Sequence, residues 1–135
     1  MPVRTRRWED VVEEGDGLRV LVTRYRPRGL KKEFETWEVW YPELAPSVEL
    51  HAAAYGKQGL KIGWEVYRRR YLMEMKSAEA RGRIAELAGR LKRGETVTLL
   101  CSSACVRESR CHRSLLAELI EEAVGGDGRE GAIAG

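Results

Sequence analysis

The second half of the chain alternates between helical and strand-like patterns of apolar residues, and this alternation restricts the fold more than any other feature. The first helical face is marked by the three-and-four spacing of Ile84, Leu87, Ala88 and Leu91. The segment ETVTLLC that follows is a compact β-type run. After a polar loop, helical spacing returns in Leu115, Leu116, Leu119, Ile120 and Ala123. A helix, a strand and a helix in succession predict an α/β arrangement.

The first half adds a strand and a short helix to this pattern. The run from Leu18 to Val22 is β-type and ends in a turn, because Pro27 disfavours helix before it. Ser47 and Gly56 have the residue types that start and end a helix. Between these two elements, KKEFETWEVWYPELAPS predicts a short helix or an extended segment.

These elements predict one domain followed by a tail. We expect an α/β domain over residues 1–123, with a small, mainly parallel sheet flanked by helices in a three-layer, Rossmann-like arrangement. The glycine-rich segment 124–135 has little apolar surface to bury, so we predict a disordered C-terminal tail there.

Length and composition indicate a cytoplasmic protein with no membrane partner. A chain of 135 residues, 43% of them hydrophobic, is the size of one domain with its own core. Its apolar runs are far shorter than the roughly 20 residues that cross a bilayer, and its first residues, MPVRTRRWEDVV, lack the apolar region of a signal peptide.

The charge balance gives only weak support to nucleic-acid binding. The net charge is +3, from 24 basic and 21 acidic side chains. Arginine heavily outnumbers lysine, Asn is absent and Gln occurs once, which is typical of a thermophilic source with many surface ion pairs.

All three cysteines lie in the segment LLCSSACVRESRCHRSLLAELI, which admits a metal site, a redox pair, a phosphatase loop or a structural turn. Cys101 to Arg107 matches the Cys-x5-Arg spacing of a cysteine phosphatase, but the loop lacks a glycine that would turn successive N–H groups inward. We expect no metal ion, because a C-x2-C pair is absent and the neighbours Cys111 and His112 would have to turn toward one ion.

Cys111 is the candidate catalytic residue of this segment. It lies at the predicted start of a helix, between Arg110 and His112, where positive charge lowers the pKa of a thiol. The alternative is a small capping residue with no chemistry. Cys105 is close enough in sequence to form a disulfide with Cys111, either as a reversible redox pair or as a structural crosslink.

A basic segment follows each of the two predicted strands, Leu18 to Val22 and ETVTLLC. Together these two segments predict an anion site. Ligands of α/β sheets collect beyond the carboxyl ends of the strands, where the following helices present free N–H groups. If the two strands are neighbours, these segments form one electropositive pocket. The predicted anion-binding residues are Arg24, Arg28, His112, Arg113 and Ser114.

Four segments resemble the YeaO-like branch of the DUF488 (domain of unknown function 488) family. These segments are YRPRGL after the first strand, LAPS, RRRYLMEM on a helix, and LLC followed by CHRSLLAEL. The resemblance runs from about Val3 to Ala123 and implies a compact α/β fold, whereas the family's biochemical activity is not established.

The resemblance also assigns residues to the family's signatures. Relatives commonly have an aspartate where this chain has Thr23, which argues against a carboxylate mechanism at that position, and Cys105 resembles a local addition. The residues that match the signatures are Arg24, Pro27, Arg28, Gly29, Pro46, Ser47, Cys101, Cys111, His112, Arg113 and Ser114.

The leading hypothesis is an anion pocket for a phosphate-bearing small molecule or nucleotide, with no cofactor. The sequence leaves open whether the protein is an enzyme. One alternative is a thiol redox protein that uses Cys105 and Cys111. A second alternative is a nucleic-acid-binding module that uses the basic residues Arg4, Arg6, Arg7 and Arg68 to Arg70.

Overall fold

A four-stranded parallel sheet forms the centre of the molecule. We analysed a computed structural model of the chain, which describes residues 3–57, 59, 61–102 and 110–133, with side chains up to Gly125. The strands are β1 (Arg4–Arg7), β2 (Leu18–Leu21), β3 (Val39–Trp40) and β4 (Val97–Cys101), in the spatial order β1-β4-β2-β3. This small, all-parallel sheet with helices packed on it confirms the prediction of an α/β, Rossmann-like fold.

β4 is one of the two inner strands of the sheet. One of its neighbours, β2, was predicted from the sequence, and the other, β1, was not. On one side it pairs with β2, from Leu18 opposite Val97 onward. On the other side it pairs with β1, starting with Arg4 opposite Thr98. The two strands recognised from the sequence, β2 and β4, are therefore direct neighbours, and their carboxyl ends meet at one edge of the sheet.

Local signals explain where the helices begin. The Ser47 and Ser77 hydroxyls accept hydrogen bonds from the N–H groups of Leu50 and Ala80, as predicted for Ser47 from the sequence. The helices are α1 (Val48–Ala54), α2 (Trp64–Glu74), α3 (Ala78–Lys92) and α4 (His112–Ile133). Across the described part of the chain, the helices are too short or too polar to span a membrane.

Two strands lack a strong sequence signal, and their formation depends on tertiary contacts. β1 has the sequence RTRR, with no apolar run, and its backbone is held by the ladder to β4. The segment that contains β3 combines two residues of strand with short 3-10 helices at Lys32–Phe34 and Pro42–Leu44. Sequence periodicity cannot predict such short elements, because their stability comes from neighbours that are distant in the chain.

One face of the sheet packs against the helices and forms the apolar core. Val20 and Leu99 on this face are fully buried, together with Leu87 of α3 and Leu116 and Ile120 of α4. The helical faces predicted from the apolar spacing are thus the faces that point to the sheet.

The opposite face of the sheet carries a buried polar cluster. Thr98 of β4 is fully buried and donates a hydrogen bond to the Asp16 carbonyl oxygen at 2.7 Å. The Asp16 carboxylate accepts a hydrogen bond from Arg19, and both side chains are almost fully buried. Charged groups in this position require partners, because an unpaired buried charge is very costly.

α4 is longer than the helix that its apolar stripe predicts. It continues to Ile133 and so enters the segment 124–135, for which the sequence predicted a disordered tail. A terminal helix can extend beyond its last buried residue, since each added residue gains one backbone hydrogen bond to the preceding turn. The boundary between domain and tail stays a prediction.

Candidate functional site

A cavity of about 710 Å³ opens at the carboxyl ends of β2 and β4. Its described walls come from the turn after β2, from α1, from the segment that leads into α2, and from the residues at the start of α4. Arg24 from the first segment and Cys111 from the last both line this cavity. The two basic segments recognised in the sequence therefore contribute to a single pocket.

The backbone of the segment LAPS fixes the position of Arg24. The Arg24 Nε–H donates a hydrogen bond to the Pro46 carbonyl oxygen at 2.9 Å, and Nη2 donates to the Ala45 carbonyl oxygen at 3.4 Å. These carbonyl groups orient the guanidinium group without neutralising its charge. Arg24 therefore keeps its positive charge at the cavity wall.

Two further cations line the cavity. Lys61 precedes α2, Arg110 precedes α4, and both are exposed to solvent. Among the described residues of the cavity wall, there is no aspartate or glutamate. Three cations on a described wall without acidic side chains make this wall electropositive and favour an anionic ligand.

Aromatic rings form much of the remaining wall, in two groups. In the first group, the His51 ring centroid lies 5.3 Å from that of Tyr25 and 4.7 Å from that of Tyr55. In the second group, Trp64 and Tyr67 stack at 5.6 Å at the start of α2. Burial lowers the pKa of His51, so this ring belongs to the neutral part of the wall at neutral pH.

The floor of the cavity brings Cys101, Cys111 and His112 together. The two Sγ atoms lie 3.3 Å apart, and His112 Nδ1 lies 4.0 Å from each of them. All three residues are buried. Cys101 ends β4, whereas Cys111 and His112 stand at the start of α4, so the contact between strand and helix creates the cluster.

The hydrogen bond on the far side of the His112 ring determines its tautomer. His112 Nε2 lies 2.7 Å from the Val22 carbonyl oxygen, which can only accept a hydrogen bond, so Nε2 carries the proton. Burial lowers the pKa of His112 to about 4. At neutral pH the ring is therefore neutral, and the lone pair of Nδ1 points toward the two sulfur atoms.

The environment of Cys101 disfavours a free thiolate. Burial raises the pKa of the Cys101 thiol to about 11, although the Arg113 charge acts in the opposite direction. Cys111, the predicted catalytic residue, is 1% exposed and lies directly before the first residue of α4. Cys111 is disulfide-bonded in this structure, so its sulfur is not a free thiol. Its nucleophilic role stays a prediction, and so does the pairing with Cys105, which is outside the described residues.

The other predicted anion-binding residues lie outside the described cavity wall. Arg28 is exposed on the turn after β2, and Gly29 follows it with a φ of 71°. Arg113 is buried, and its charge contributes to lowering the pKa of Asp10. Ser114 is half-buried and donates its backbone N–H to the Cys111 carbonyl oxygen at 3.1 Å. Of the predicted anion-binding set, only Arg24 and His112 line the cavity, and the neutral His112 brings no positive charge.

Comparison with known proteins gives the family of the chain. The family model described as the active DUF488-N3 subclade matches residues 3–124. The chain belongs to the DUF488 family. It is 35% identical to the uncharacterised protein YeaO of Escherichia coli over 104 residues, which are 76% of this chain and 84% of YeaO.

Mycobacterial relatives support the same assignment. The uncharacterised proteins Rv3073c of Mycobacterium tuberculosis and Mb3100c of Mycobacterium bovis are each 30% identical over 118 residues, which cover 87% of this chain and 92% of each relative. No solved structure matches the chain. The chain is thus a DUF488 protein of the YeaO-like branch, as its sequence resemblance implies.

The signature segments of this DUF488 protein meet in three dimensions. The Glu74 carboxylate of RRRYLMEM accepts hydrogen bonds from the Ser47 N–H at 2.8 Å and the Ser47 hydroxyl at 2.5 Å. The Tyr71 hydroxyl donates to the Leu44 carbonyl oxygen at 2.7 Å, and the Tyr71 ring lies 5.5 Å from that of His112. These bonds hold the segment LAPS, which in turn orients Arg24 at the cavity.

Most of the aromatic wall and two of the three cations on the described wall were not predicted from the sequence. Trp64 and Tyr67 are three residues apart on a helix and thus share a face, which is a signal that was available. Lys61 and Arg110 have no comparable signal, because nothing local shows that their segments reach the carboxyl end of the sheet. His51 also lines the cavity, and the local sequence around it gives no signal of that position.

Proposed function

We propose that this DUF488 protein binds a phosphate-bearing small molecule in the cavity, and that a nucleotide fits it best. The observation that supports this proposal is the combination of three cations with two groups of aromatic rings on a described wall without acidic side chains. Cations and forked arginine donors suit phosphate oxygens, and aromatic faces suit a planar base.

The positions of the residues suggest how the ligand would be divided between them. Lys61 and Arg110 are exposed at the cavity and would contact the phosphate group, while the Arg24 guanidinium, held by two carbonyl oxygens, would supply a fixed charge. The base would stack on Trp64 or on the ring group of His51. Stacking of one base on an aromatic ring contributes about 1–3 kcal/mol, so both halves of such a ligand add to its affinity.

Binding of adenosine monophosphate, measured by titration calorimetry in low salt, tests this proposal. Lys61→Ala and Arg110→Ala should each weaken binding roughly tenfold, because a hydrogen bond to a charged group contributes about 1.5 kcal/mol or more. Arg28→Ala is the matched control, since Arg28 is an exposed arginine of the same turn after β2 as Arg24 but does not line the described cavity wall. Equal affinity of all three variants would contradict the proposal.

Adenosine and inorganic phosphate, titrated separately, distinguish the two halves of the site. We expect each to bind more weakly than the nucleotide, and Arg110→Ala to affect phosphate but not adenosine. A protein that binds adenosine as tightly as the nucleotide would have no phosphate site.

Among the basic residues proposed for nucleic acid, those of β1 are paired with acids. Arg6 contacts Glu13 at 2.6 Å and Asp16 at 3.3 Å, and Arg7 contacts Asp10 at 3.2 Å. Such pairs reduce the positive potential that a phosphate backbone requires. Nucleic-acid binding therefore stays a prediction that these contacts do not favour.

A further inference from the structure

The cavity floor combines a free thiol with a disulfide, and the proposed phosphate site uses neither of them. Cys101 is a free, buried cysteine, whereas Cys111 is disulfide-bonded. Their Sγ atoms lie 3.3 Å apart. A thiol in contact with a disulfide has the arrangement of the reactants in thiol–disulfide exchange, in which a thiolate attacks one sulfur of the disulfide and displaces the other.

The distance between the two sulfur atoms suits such an attack. Reacting atoms in a productive arrangement are about 3–3.5 Å apart. The observed separation of 3.3 Å between Cys101 Sγ and Cys111 Sγ lies within this range. Since a disulfide bond is about 2.05 Å long, a relative shift of roughly 1.2 Å would bring the two sulfur atoms to bonding distance.

The proton in this contact belongs to Cys101. A disulfide sulfur carries no hydrogen, so Cys101 is the donor toward Cys111 Sγ. His112 Nδ1 lies 4.0 Å from Cys101 Sγ and has a free lone pair, because Nε2 donates its proton to the Val22 carbonyl oxygen. The Cys101 S–H group therefore faces two acceptors, the sulfur that it would attack and a neutral imidazole nitrogen.

The groups around Cys101 keep its thiol protonated at neutral pH. Burial raises the pKa of Cys101 to about 11, against the opposing charge of Arg113 on α4. Burial also raises the pKa of Tyr67 and Tyr71 on α2 and lowers that of His112 to about 4, so these three side chains are neutral. The thiol is thus a slow nucleophile near pH 7, but its thiolate is a strong one, because the nucleophilicity of thiolates rises with their pKa.

We propose that Cys101 resolves the disulfide of Cys111 by thiol–disulfide exchange at the cavity floor. The Cys101 S–H group loses its proton to solvent in the cavity, which both residues line. The thiolate then forms a bond to Cys111 Sγ, and the bond between Cys111 and its present partner breaks. That partner leaves as a thiolate and takes up a proton, so one sulfur is oxidised, one is reduced, and no external oxidant is needed.

This exchange changes which sulfur of the protein is free. Before the exchange, the free thiol is Cys101, which is 2% exposed and therefore protected from external reagents. After the exchange, the free thiol is the former partner of Cys111, for which the sequence predicts Cys105. The inference thus assigns a thiol–disulfide activity to three cysteines rather than to the Cys105–Cys111 pair alone.

Trapping with iodoacetamide tests the proposal on the folded, unreduced protein. Excess reagent alkylates the displaced thiol irreversibly and so collects the product of exchange. We expect the label on a cysteine other than Cys101, together with a Cys101–Cys111 disulfide. Tandem mass spectrometry must locate the label, since Cys101 and Cys105 share the tryptic peptide 94–107. Label confined to Cys101, in this sample and in one alkylated only after acid quenching and unfolding, would overturn the proposal.

The pH and urea dependence of the trapping rate identify the nucleophile and the state that reacts. Between about pH 7 and about pH 9 the rate should rise roughly tenfold per pH unit, because the thiolate fraction does so below the pKa of about 11. Exchange in the folded protein should be insensitive to urea below the unfolding transition. A rate that is independent of pH, or that increases with urea in parallel with the unfolded fraction, would overturn the proposal.

Variants separate this activity from the phosphate site. Cys101→Ser should leave no alkylated cysteine in the folded protein, because the attacking thiol is absent. His51→Gln is the matched control, since His51 lines the same cavity outside the sulfur pair and should leave the trapping rate unchanged. Lys61→Ala should also exchange at the wild-type rate, so the exchange and nucleotide binding can fail independently of each other. Circular dichroism checks that each variant is folded.

Cys105→Ser tests whether the two floor sulfur atoms can form a bond. The substitution removes the predicted partner of Cys111, so oxidation of this variant with glutathione disulfide should yield a Cys101–Cys111 disulfide. A product that carries glutathione on Cys111 and keeps Cys101 as a free thiol would overturn the proposal, because it would show that Cys101 does not reach bonding distance of Cys111.

Discussion

Arginine-rich clusters lie in two regions of this molecule, and the presence or absence of carboxylates separates them. In the cluster on the polar face of the sheet, Asp16 accepts hydrogen bonds from Arg4, Arg6 and Arg19. At the cavity, by contrast, the described wall includes Arg24 and Arg110 but no acidic side chain. The first cluster uses its charges to stabilise the fold, and the second leaves them for a ligand.

The comparison shows that the number of basic residues near a strand does not by itself indicate an anion-binding site. β1 is the most basic strand, yet its arginines are paired with acids. A site for an anion requires cations whose neighbours are carbonyl groups, aromatic rings or solvent, as is true of Arg24. The following predictions test this distinction, beginning with the largest effect.

Asp16→Asn should destabilise the protein by about 3–5 kcal/mol, because it leaves the buried Arg19 charge without its carboxylate partner. Urea denaturation of wild type and variant measures this loss. The affinity for adenosine monophosphate at temperatures where the variant is folded should not change. A loss below about 1 kcal/mol would show that the cluster is not a stabilising one.

Lys61→Glu should make the cavity wall resemble the cluster around Asp16, in which carboxylates offset the arginine charges. A carboxylate in place of the ammonium group removes one attraction and adds a repulsion, so nucleotide affinity should fall by about 100-fold, compared with roughly tenfold for Lys61→Ala. The free energy of unfolding should change by no more than about 0.5 kcal/mol, since Lys61 is exposed. Calorimetry and urea denaturation of both variants give the two values, and equal affinities of Lys61→Glu and wild type would remove Lys61 from the site.

The pH dependence of the unfolding free energy should reveal the ionisation of Asp16. Burial by itself raises the pKa of Asp16, but the hydrogen bond from the Glu13 N–H and the charge of Arg19 outweigh it, so the pKa lies below its ordinary value of 3.8. The folded state therefore binds this proton more weakly than the unfolded state. The stability that Asp16 provides is complete above that ordinary value and is lost as the pH falls through the lower pKa of the folded state.

The difference in unfolding free energy between wild type and Asp16→Asn, measured against pH, isolates this effect. We expect a constant difference at neutral pH that shrinks only in the acid range below pH 3.8. A difference that changes between pH 5 and pH 8 would contradict the assignment.

Asp10→Asn should have the smallest effect. The Arg7–Asp10 pair has the same residue types and a distance of 3.2 Å, but both side chains are about one third exposed. Exposed pairs contribute about 0–1 kcal/mol, and the amide keeps an oxygen that can accept the Arg7 N–H. Thermal denaturation of this variant beside Asp16→Asn checks that burial, and not charge alone, determines the stabilisation. A loss equal to that of Asp16→Asn would contradict this.

The sequence predicted those parts of the fold that depend on local patterns. The β-type runs of β2 and β4, the Ser47 cap and the apolar stripes of α3 and α4 all have signals within a few residues. β1 was not predicted, and the segment of β3 was predicted only as a short helix or an extended segment. The reason is that both strands are held by distant neighbours and lack apolar periodicity.

The candidate site was predictable only in outline. The position of Arg24 and the start of α4 at His112 followed from strand ends and helix signals, so the location of the pocket could be predicted. Whether Arg28 or Lys61 joins Arg24 depends on the path of the turn and on packing between segments far apart in the chain. The same holds for Nδ1 of His112, whose direction is determined by the Val22 carbonyl oxygen in another element.

The central claim is that the cavity, and not the basic polar cluster, receives a phosphate-bearing ligand. The four tryptophans allow one measurement to test it, since Trp64 lines the cavity while Trp8 and Trp37 pack against each other elsewhere, with ring centroids 6.2 Å apart. In a titration with adenosine monophosphate followed by NMR, the indole N–H signal of Trp64 should shift to saturation while those of Trp8 and Trp37 stay in place. Shifts confined to Trp8 and Trp37, or no shift of Trp64, would contradict the account.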